Sequence, residues 1–300
     1  MAEIGSNWEG SIVKAKKIVK ECKISGADAV KFQMWRANDL YSKKHPNWNE
    51  IIKAELSFSQ AKQIKKYSDS LGIEFFCSAF YPEAVEFLNS IGVNFFKVAS
   101  RTCLMKDPHS KETLMKKAET GKTIIVSMGM GGNLNMIKRI FLKNHITFCY
   151  CISKYPLKLS EINWKEAIKF DGFSDHTLGI SAPIIFTILK NQTRSKKIII
   201  EKHVKLKNST GPDASTSIDT DELKEMADQY GVEYDDVDED DDKDDKLKNK
   251  LIDNISSKVA DEVEKTINRD GLKDWICHDQ GFCSEDEFQE QYGKWLPLDE

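Results

Sequence analysis

The chain has 300 residues, 44 basic and 48 acidic, with a formal net charge of −4; that balance argues against nonspecific nucleic-acid binding. The length suits one large domain or two smaller ones. No run reaches the roughly 18 apolar residues of a membrane span, and Met1-Ala2-Glu3-Ile4-Gly5 shows no charged-then-apolar leader, so no membrane partner and a cytoplasmic location are expected.

The charge is unevenly placed. Asp235 to Asp245 holds nine acids and one lysine, so the rest of the chain carries +4, as suits an anionic substrate. Seven cysteines, at positions 22, 77, 103, 149, 151, 277 and 283, form no framework spacing, which points to reduced thiols.

In chain order, Ala2-Glu3-Ile4-Gly5 resembles the end of a strand. Ile12, Ala15, Ile18, Val19 and Cys22 then share one face of a helix over 11–25. Gly26 closes it, and Ala29 to Gln33 is a predicted strand. After a polar loop through His45-Pro46 the pattern repeats, with helices over 59–71, 82–91, 111–120, 133–143, 160–169 and 183–190. Strands are expected at 74–78, 94–98, 123–127, 146–151, 172–174 and 197–202, and a last helix at 219–230 is capped by Asp219 or Thr220. Strict alternation predicts an α/β protein, a (β/α)8 TIM barrel over 1–230, in preference to an open doubly wound sheet. An acidic linker over 231–246 and a small, mainly helical tail over 247–300 should follow. Leu247, Leu251, Ile255, Val259, Val263 and Ile267 recur at four-residue steps in that tail.

In such a barrel, chemistry gathers where strands end. Those positions hold Glu3, Asn7, Lys31, Gln33, Ser78, Lys97, Ser100, Ser127, Tyr150, Ser153, Tyr155, Ser174, Asp175, His176, Glu201, Lys202 and His203. A rim so rich in polar residues favours a site. Lys31 and Lys97 with Ser78 and Ser100 suit a phosphate or carboxylate. His176 and His203, on neighbouring strands, can reach one divalent ion, with Mn²⁺ or Mg²⁺ as acceptable as Zn²⁺. Either histidine alone is more often an ordinary hydrogen-bonded residue; the pair in this setting is the stronger signal.

Several segments together resemble the sialic acid synthase family. They are Glu3-Ile4-Gly5 with Asn7, Gly26 to Gln33, Lys97-Val98-Ala99-Ser100, Tyr155-Pro156, Ser174-Asp175-His176-Thr177-Leu178-Gly179, Glu201-Lys202-His203 and Gly211-Pro212-Asp213. The resemblance spans residue 2 to about residue 228 in unbroken order. It implies a transferase that condenses phosphoenolpyruvate with an N-acylated amino sugar such as N-acetylmannosamine, giving a nine-carbon 2-keto acid and phosphate. By the same resemblance His176 and His203 hold the metal. Phosphoenolpyruvate lies on Lys31, Ser78, Lys97, Ser100, Ser153, Tyr155 and Ser174. Glu3, Lys31, Gln33 and Asp213 are the catalytic candidates, with Glu3, Gln33 and Asp213 at the sugar end, and a homodimer is expected.

Three departures accompany it. Ser100-Arg101-Thr102 stands where the family has Ser-Gly and an acid, and Arg101 is a candidate replacement contact. The family's antifreeze-like domain is not recognisable after residue 230, nor is its N-terminal lead-in before residue 1. Two rival readings stay open: a barrel that binds ligand without turnover, and a synthase acting on an aldose phosphate through Arg101.

Overall fold

Eight parallel strands close on themselves in chain order, β1 pairing with both β2 and β8, in a computed structural model that describes residues 1–191, 198–230, 259, 261–263, 265 and 266. The strands are β1 (Ala2–Glu3), β2 (Ala29–Met34), β3 (Glu74–Ala79), β4 (Phe95–Val98), β5 (Thr123–Ser127), β6 (Ile146–Cys151), β7 (Gly172–Asp175) and β8 (Ile199–His203). The expected barrel is therefore present, and the open sheet is excluded.

The helices form the outer layer: α1 (Ile12–Ile24), α2 (Ala37–Leu40), α3 (Trp48–Lys53), α4 (Phe58–Ser70), α5 (Pro82–Ser90), α6 (Ser110–Glu119), α7 (Leu134–Ile140), α8 (Trp164–Ala167), α9 (Ser181–Asn191) and α10 (Thr220–Gln229). Their ends follow local chemistry. The Ser11 hydroxyl accepts from the Lys14 amide to start α1, and reciprocal capping boxes start α4 (Ser57 with Gln60) and α10 (Asp219 with Glu222). Gly26, Gly72, Gly92 and Gly121 take positive φ just beyond α1, α4, α5 and α6.

Two stretches differ from expectation. The polar loop around His45-Pro46 folds into the short helices α2 and α3. The helix expected over 160–169 shrinks to a 3₁₀ turn at Leu159–Glu161 and the single turn α8, because Asn163 caps a fresh start by accepting from the Glu166 amide.

Inside the barrel, side chains alternate along each strand. The outward set, including Val30, Phe32, Phe75, Cys77, Phe96, Val98, Ile124, Val126 and Phe173, joins the helices in the main core. The inward set is layered. Phe76, Ile125 and Cys149, with Met1, Ala29, Phe95 and Ile199 packed against them, form an apolar plug. One step toward the strand C-termini the inward residues become Glu3, Lys31, Ser78, Lys97, Ser127, Cys151, Ser174 and Glu201, all lining one cavity.

The five described cysteines are free thiols, and no helix among the described residues is long and apolar enough to cross a membrane. From the tail, Val259 and buried Val263 pack against the main core, and the Ser181 hydroxyl at the head of α9 donates to Glu262. The acidic linker and the rest of the tail lie outside the described residues.

Candidate active site

At the C-terminal ends of the strands lies a cavity of about 370 Å³, a size ordinary for small-ligand sites. Of the residues expected at the site, Glu3, Lys31, Gln33, Ser78, Lys97, Ser100, Ser127, Ser153, Tyr155, Ser174, His176, Glu201, His203 and Asp213 line it, whereas Asn7, Tyr150, Asp175 and Lys202 do not.

The register of β7 and β8 explains the paired motifs. Ser174 lies opposite Glu201 and Asp175 opposite Lys202, so alternation sends Ser174, His176, Glu201 and His203 into the barrel and Asp175 and Lys202 out of it. Inside, the Ser174 hydroxyl donates to Glu201 Oε1 at 2.6 Å, and the two imidazole centroids stand 5.5 Å apart. Outside, Asp175 and Lys202 form an ion pair with both side chains fully buried. Tyr150 is likewise sent outward, stacking on Phe173 with its hydroxyl accepting from the Asn163 amide. These three strand-end residues therefore belong to the frame and not to the cavity. Asn7 is structural too: its amide donates to the Val204 carbonyl and the Ser217 hydroxyl.

A continuous ionic chain floors the cavity. Gln33 donates to Glu3 Oε1 at 2.9 Å, and the other Glu3 oxygen faces Lys31. Lys31 Nζ is 2.8 Å from Glu201 Oε2, and Lys97 Nζ is 3.0 Å from Glu201 Oε1. Lys97 also donates to the Ser127 hydroxyl at 2.8 Å. Burial pulls the Lys31 ammonium down to about 8, with Glu201 opposing. At Lys97 burial acts the same way, but Glu201 together with Cys149 and Cys151 outweighs it and the net shift is upward. Burial would raise the Glu201 carboxyl, yet the two ammoniums hold it well below the usual carboxylate range. One carboxylate thus keeps two lysines charged in a dry floor.

Two polar atoms in this wall are buried without a partner: Ser78 Oγ and His203 Nδ1. Buried donors and acceptors are normally satisfied, so both keep bonding capacity that the protein itself does not use. His176 is held more fully. Its Nδ1 lies 2.8 Å from the Ile152 carbonyl, which can only accept, so the proton sits on Nδ1 and the Nε2 lone pair faces the Tyr155 hydroxyl at 3.0 Å. Burial drives the His203 imidazole down to about 4, keeping it neutral. The His176 value moves up, because contact with Cys151 outweighs burial; a cation binding at Nε2 competes with a proton there. Cys151 in turn falls to about 7, since its contacts with His176 and Ser100 outweigh burial.

Two imidazoles whose centroids stand 5.5 Å apart, with His203 Nδ1 unpartnered, fit a divalent ion. No cluster of three or more His, Cys, Asp or Glu ligands occurs among the described residues. The remaining positions would therefore be open to water or substrate oxygens, as at a catalytic and not a structural centre.

At the outer end, Asp213 Oδ2 accepts from the Ser6 amide and hydroxyl, both at 2.7 Å. Tyr41, Phe80, Arg101, Met130 and Cys151 also line the cavity; Ser127 was legible as a strand-end residue and Arg101 as a departure from the family motif, Phe80 continues the alternation of Phe76 and Ser78, and Tyr41 reaches the cavity from the loop after α2 with no periodic signal. Thr102 is buried in a 3₁₀ turn, away from the cavity. Arg101 is forked onto Asp107, Nε and Nη2 each at 2.8 Å, and lies 5.6 Å from the Tyr41 ring centroid.

Comparison with known proteins agrees with this architecture. The N,N'-diacetyllegionaminic acid synthase of Campylobacter jejuni is 32% identical over 76% of this chain and 74% of its own. The human N-acetylneuraminate-9-phosphate synthase is 30% identical over 75% of this chain and 67% of its own. The fold is that of the N-acetylneuraminic acid synthetase of Leptospira borgpetersenii, with a TM-score of 0.68 at 22% identity over 85% of this chain and 92% of that one. Residues 18–234 match the NeuB family model, and the chain belongs to the NeuB family of sialic-acid-type synthases.

Proposed function

We propose that the chain condenses phosphoenolpyruvate with an N-acylated amino sugar of the N-acetylmannosamine kind, yielding a nine-carbon 2-keto acid and phosphate. The observation that carries this reading is the pairing of Lys31 and Lys97 on one carboxylate beneath two inward histidines. A dianion-binding floor and an electrophile-binding wall face one space.

Lys31 and Lys97 bind the carboxylate and phosphate of phosphoenolpyruvate, with Ser78, Ser100, Ser153 and Ser174 supplying hydroxyls. Because Glu201 already holds both ammoniums, the lysines stay charged and fixed before substrate arrives, and little reorganisation is needed. A divalent ion such as Mn²⁺ or Mg²⁺, held by His176 and His203, would supply Lewis acidity toward the sugar aldehyde. Glu3, Gln33 and Asp213 orient the sugar at the outer end. C3 of phosphoenolpyruvate forms the new bond to the aldehyde carbon, and the oxygen formed there takes a proton from Lys31, whose value near 8 suits that transfer. Water then adds at C2, one of its protons returns to Lys31, and the C2–O bond to phosphate breaks as the remaining C2 hydroxyl proton passes to the departing phosphate, leaving the 2-keto group. Tyr155, over both imidazoles, shields the reacting carbons.

The unphosphorylated sugar is preferred over an aldose phosphate because Arg101, the cation at that end, already has Nε and Nη2 committed to Asp107. The test is phosphate release from phosphoenolpyruvate by metal-stripped protein. Mn²⁺ or Mg²⁺ is returned, with and without N-acetylmannosamine, other N-acylhexosamines and their 6-phosphates. Release that needs both metal and an unphosphorylated sugar, and disappears in His203→Ala, is expected. No release across the panel by folded protein would leave a ligand-binding barrel without turnover, and release with 6-phosphates alone would reverse the sugar assignment.

A further inference from the structure

Behind the ionic floor lies a cation that the reaction scheme above does not use. Lys117 is on α6, in the outer layer, yet it is fully buried. Its Nζ donates at 2.8 Å to the Ala79 carbonyl and at 2.8 Å to the Lys97 carbonyl. Those are the ends of β3 and β4, and on the seam between these strands Ser78 is registered opposite Lys97. The same two residues line the cavity, one with an unpartnered hydroxyl and the other as a floor ammonium. Lys117 therefore braces the seam at the point where it presents its two anion-binding groups.

An ammonium buried against carbonyls alone is a costly way to fill space. A methionine would occupy a similar volume without the charge, but it would leave two buried carbonyls unpaired. The titratable groups facing Lys117 are Cys103 from the loop after β4, Lys97 of β4, Lys31 of β2 and Cys77 of β3. None is a carboxylate, so the ammonium is met by the two carbonyls and no counter-ion among these neighbours. Burial, with the repulsion of Lys97 and Lys31, brings this lysine down to about 7.

We propose that Lys117 is a positioning residue for the anion-binding half of the cavity, setting Ser78 and Lys97 against bound phosphoenolpyruvate and adding a third positive charge behind them. The inference rests on the reading of that half as the phosphoenolpyruvate subsite. Because a neutral amine still donates to both carbonyls, raising the pH through 7 removes the charge while keeping the brace. Anion affinity is then highest below 7 and declines above it. Linkage fixes the size: if charging Lys117 strengthens anion binding about tenfold, the bound anion must raise its pKa by about one unit.

Two measurements read that number independently. In steady-state kinetics, Lys117→Met should raise the KM for phosphoenolpyruvate about tenfold more at pH 6 than at pH 8.5, with the KM for the amino sugar changed less than about twofold. Lys117→Arg, which keeps the charge, should restore the low-pH affinity. In wild-type protein labelled with ¹³C at lysine Cε, the resonance absent from Lys117→Arg should titrate near pH 7 and move up by about one unit in saturating inorganic phosphate. This second measurement decides the matter even if Lys117→Met does not fold. A resonance unmoved by phosphate, or a methionine variant in which both KM values change together at both pH values, would make Lys117 a strut and overturn the proposal. Wild-type protein that shifts this resonance with phosphate but never consumes phosphoenolpyruvate would instead refute the reaction and leave the role of Lys117 standing.

Discussion

Removing one member of the Asp175–Lys202 pair should destabilise the barrel far more than any surface ion pair would. Both side chains are fully buried between the sheet and the helices, so solvent does not screen them. Lys202 Nζ also donates to the Thr177 carbonyl at 2.6 Å, and Asp175 accepts from the Thr177 amide at 2.9 Å and its hydroxyl at 3.0 Å. This knot fixes the turn directly after His176. Lys202→Met strands a buried carboxylate, for which breaking a buried pair costs about 3–5 kcal/mol. For a chain of this size that is a melting-temperature loss of roughly 6–20 °C. Asp175→Asn strands the ammonium instead, and the double variant strands neither, so it should be more stable than the sum of the singles by about 2 kcal/mol. Urea unfolding of the four proteins, compared at equal m-values, supplies the cycle. Single losses below about 1 kcal/mol, the range of exposed pairs, or strict additivity in the double variant, would refute the reasoning.

Three further outcomes are expected at the cavity itself. In Gly5→Ala, at φ +50, the new Cβ would fall 2.4 Å from Asp213 Oδ2 and 3.2 Å from Glu3 Oε1. Asp213 must leave Ser6, so the KM for the sugar should rise about tenfold or more while that for phosphoenolpyruvate holds; an equal rise in both would place Asp213 elsewhere in the mechanism. Gly129→Ala brings Cβ within 2.7 Å of Cys151 Sγ and 2.8 Å of Ser153 Oγ. An overpacking loss of about 1–3 kcal/mol should come with weaker phosphoenolpyruvate binding, and a calorimetric titration showing wild-type affinity would contradict it. Glu201→Gln leaves Lys31 and Lys97 without their shared counter-ion. The variant should melt lower by several degrees, yet gain more from added inorganic phosphate than wild type does; equal gains would show that Glu201 does not compete with the substrate anion.

The barrel was legible because its signals are local and repeated: a helical period followed by a short apolar run, with a closing glycine at four of the helix ends. Where that logic was missed, a longer stretch hid shorter elements. The 34–57 loop carries α2 and α3 without a sustained apolar period, and an internal Asn163 cap split what resembled one helix. The site was legible for a related reason. Period-two alternation on known strands sorts strand-end residues into those that face the lumen and those that face the helices, and the motifs Ser-Asp-His and Glu-Lys-His obey it in register. Position at a strand end was not enough on its own, which is why Tyr150, Asp175 and Lys202 were grouped with the site when they brace it from outside.

What no local pattern could disclose is the coupling between layers. Lys117 is an ordinary lysine on an amphipathic helix by sequence, and only closure of the sheet brings its ammonium to the ends of β3 and β4. Arg101 and Asp107, six residues apart and partly exposed, pair within one loop and need no such convergence. The burial of Lys117 has a physical cause. A charge in a dry interior is tolerated only where partners from distant segments converge on it, so such residues are assigned roles by topology. The inward residues bind substrate because they share one lumen, and the outward charged residues hold that lumen in shape because their partners lie across neighbouring strands and helices. Substitutions in the second group should therefore alter affinity and stability together, whereas those in the first should alter affinity or turnover with the frame intact.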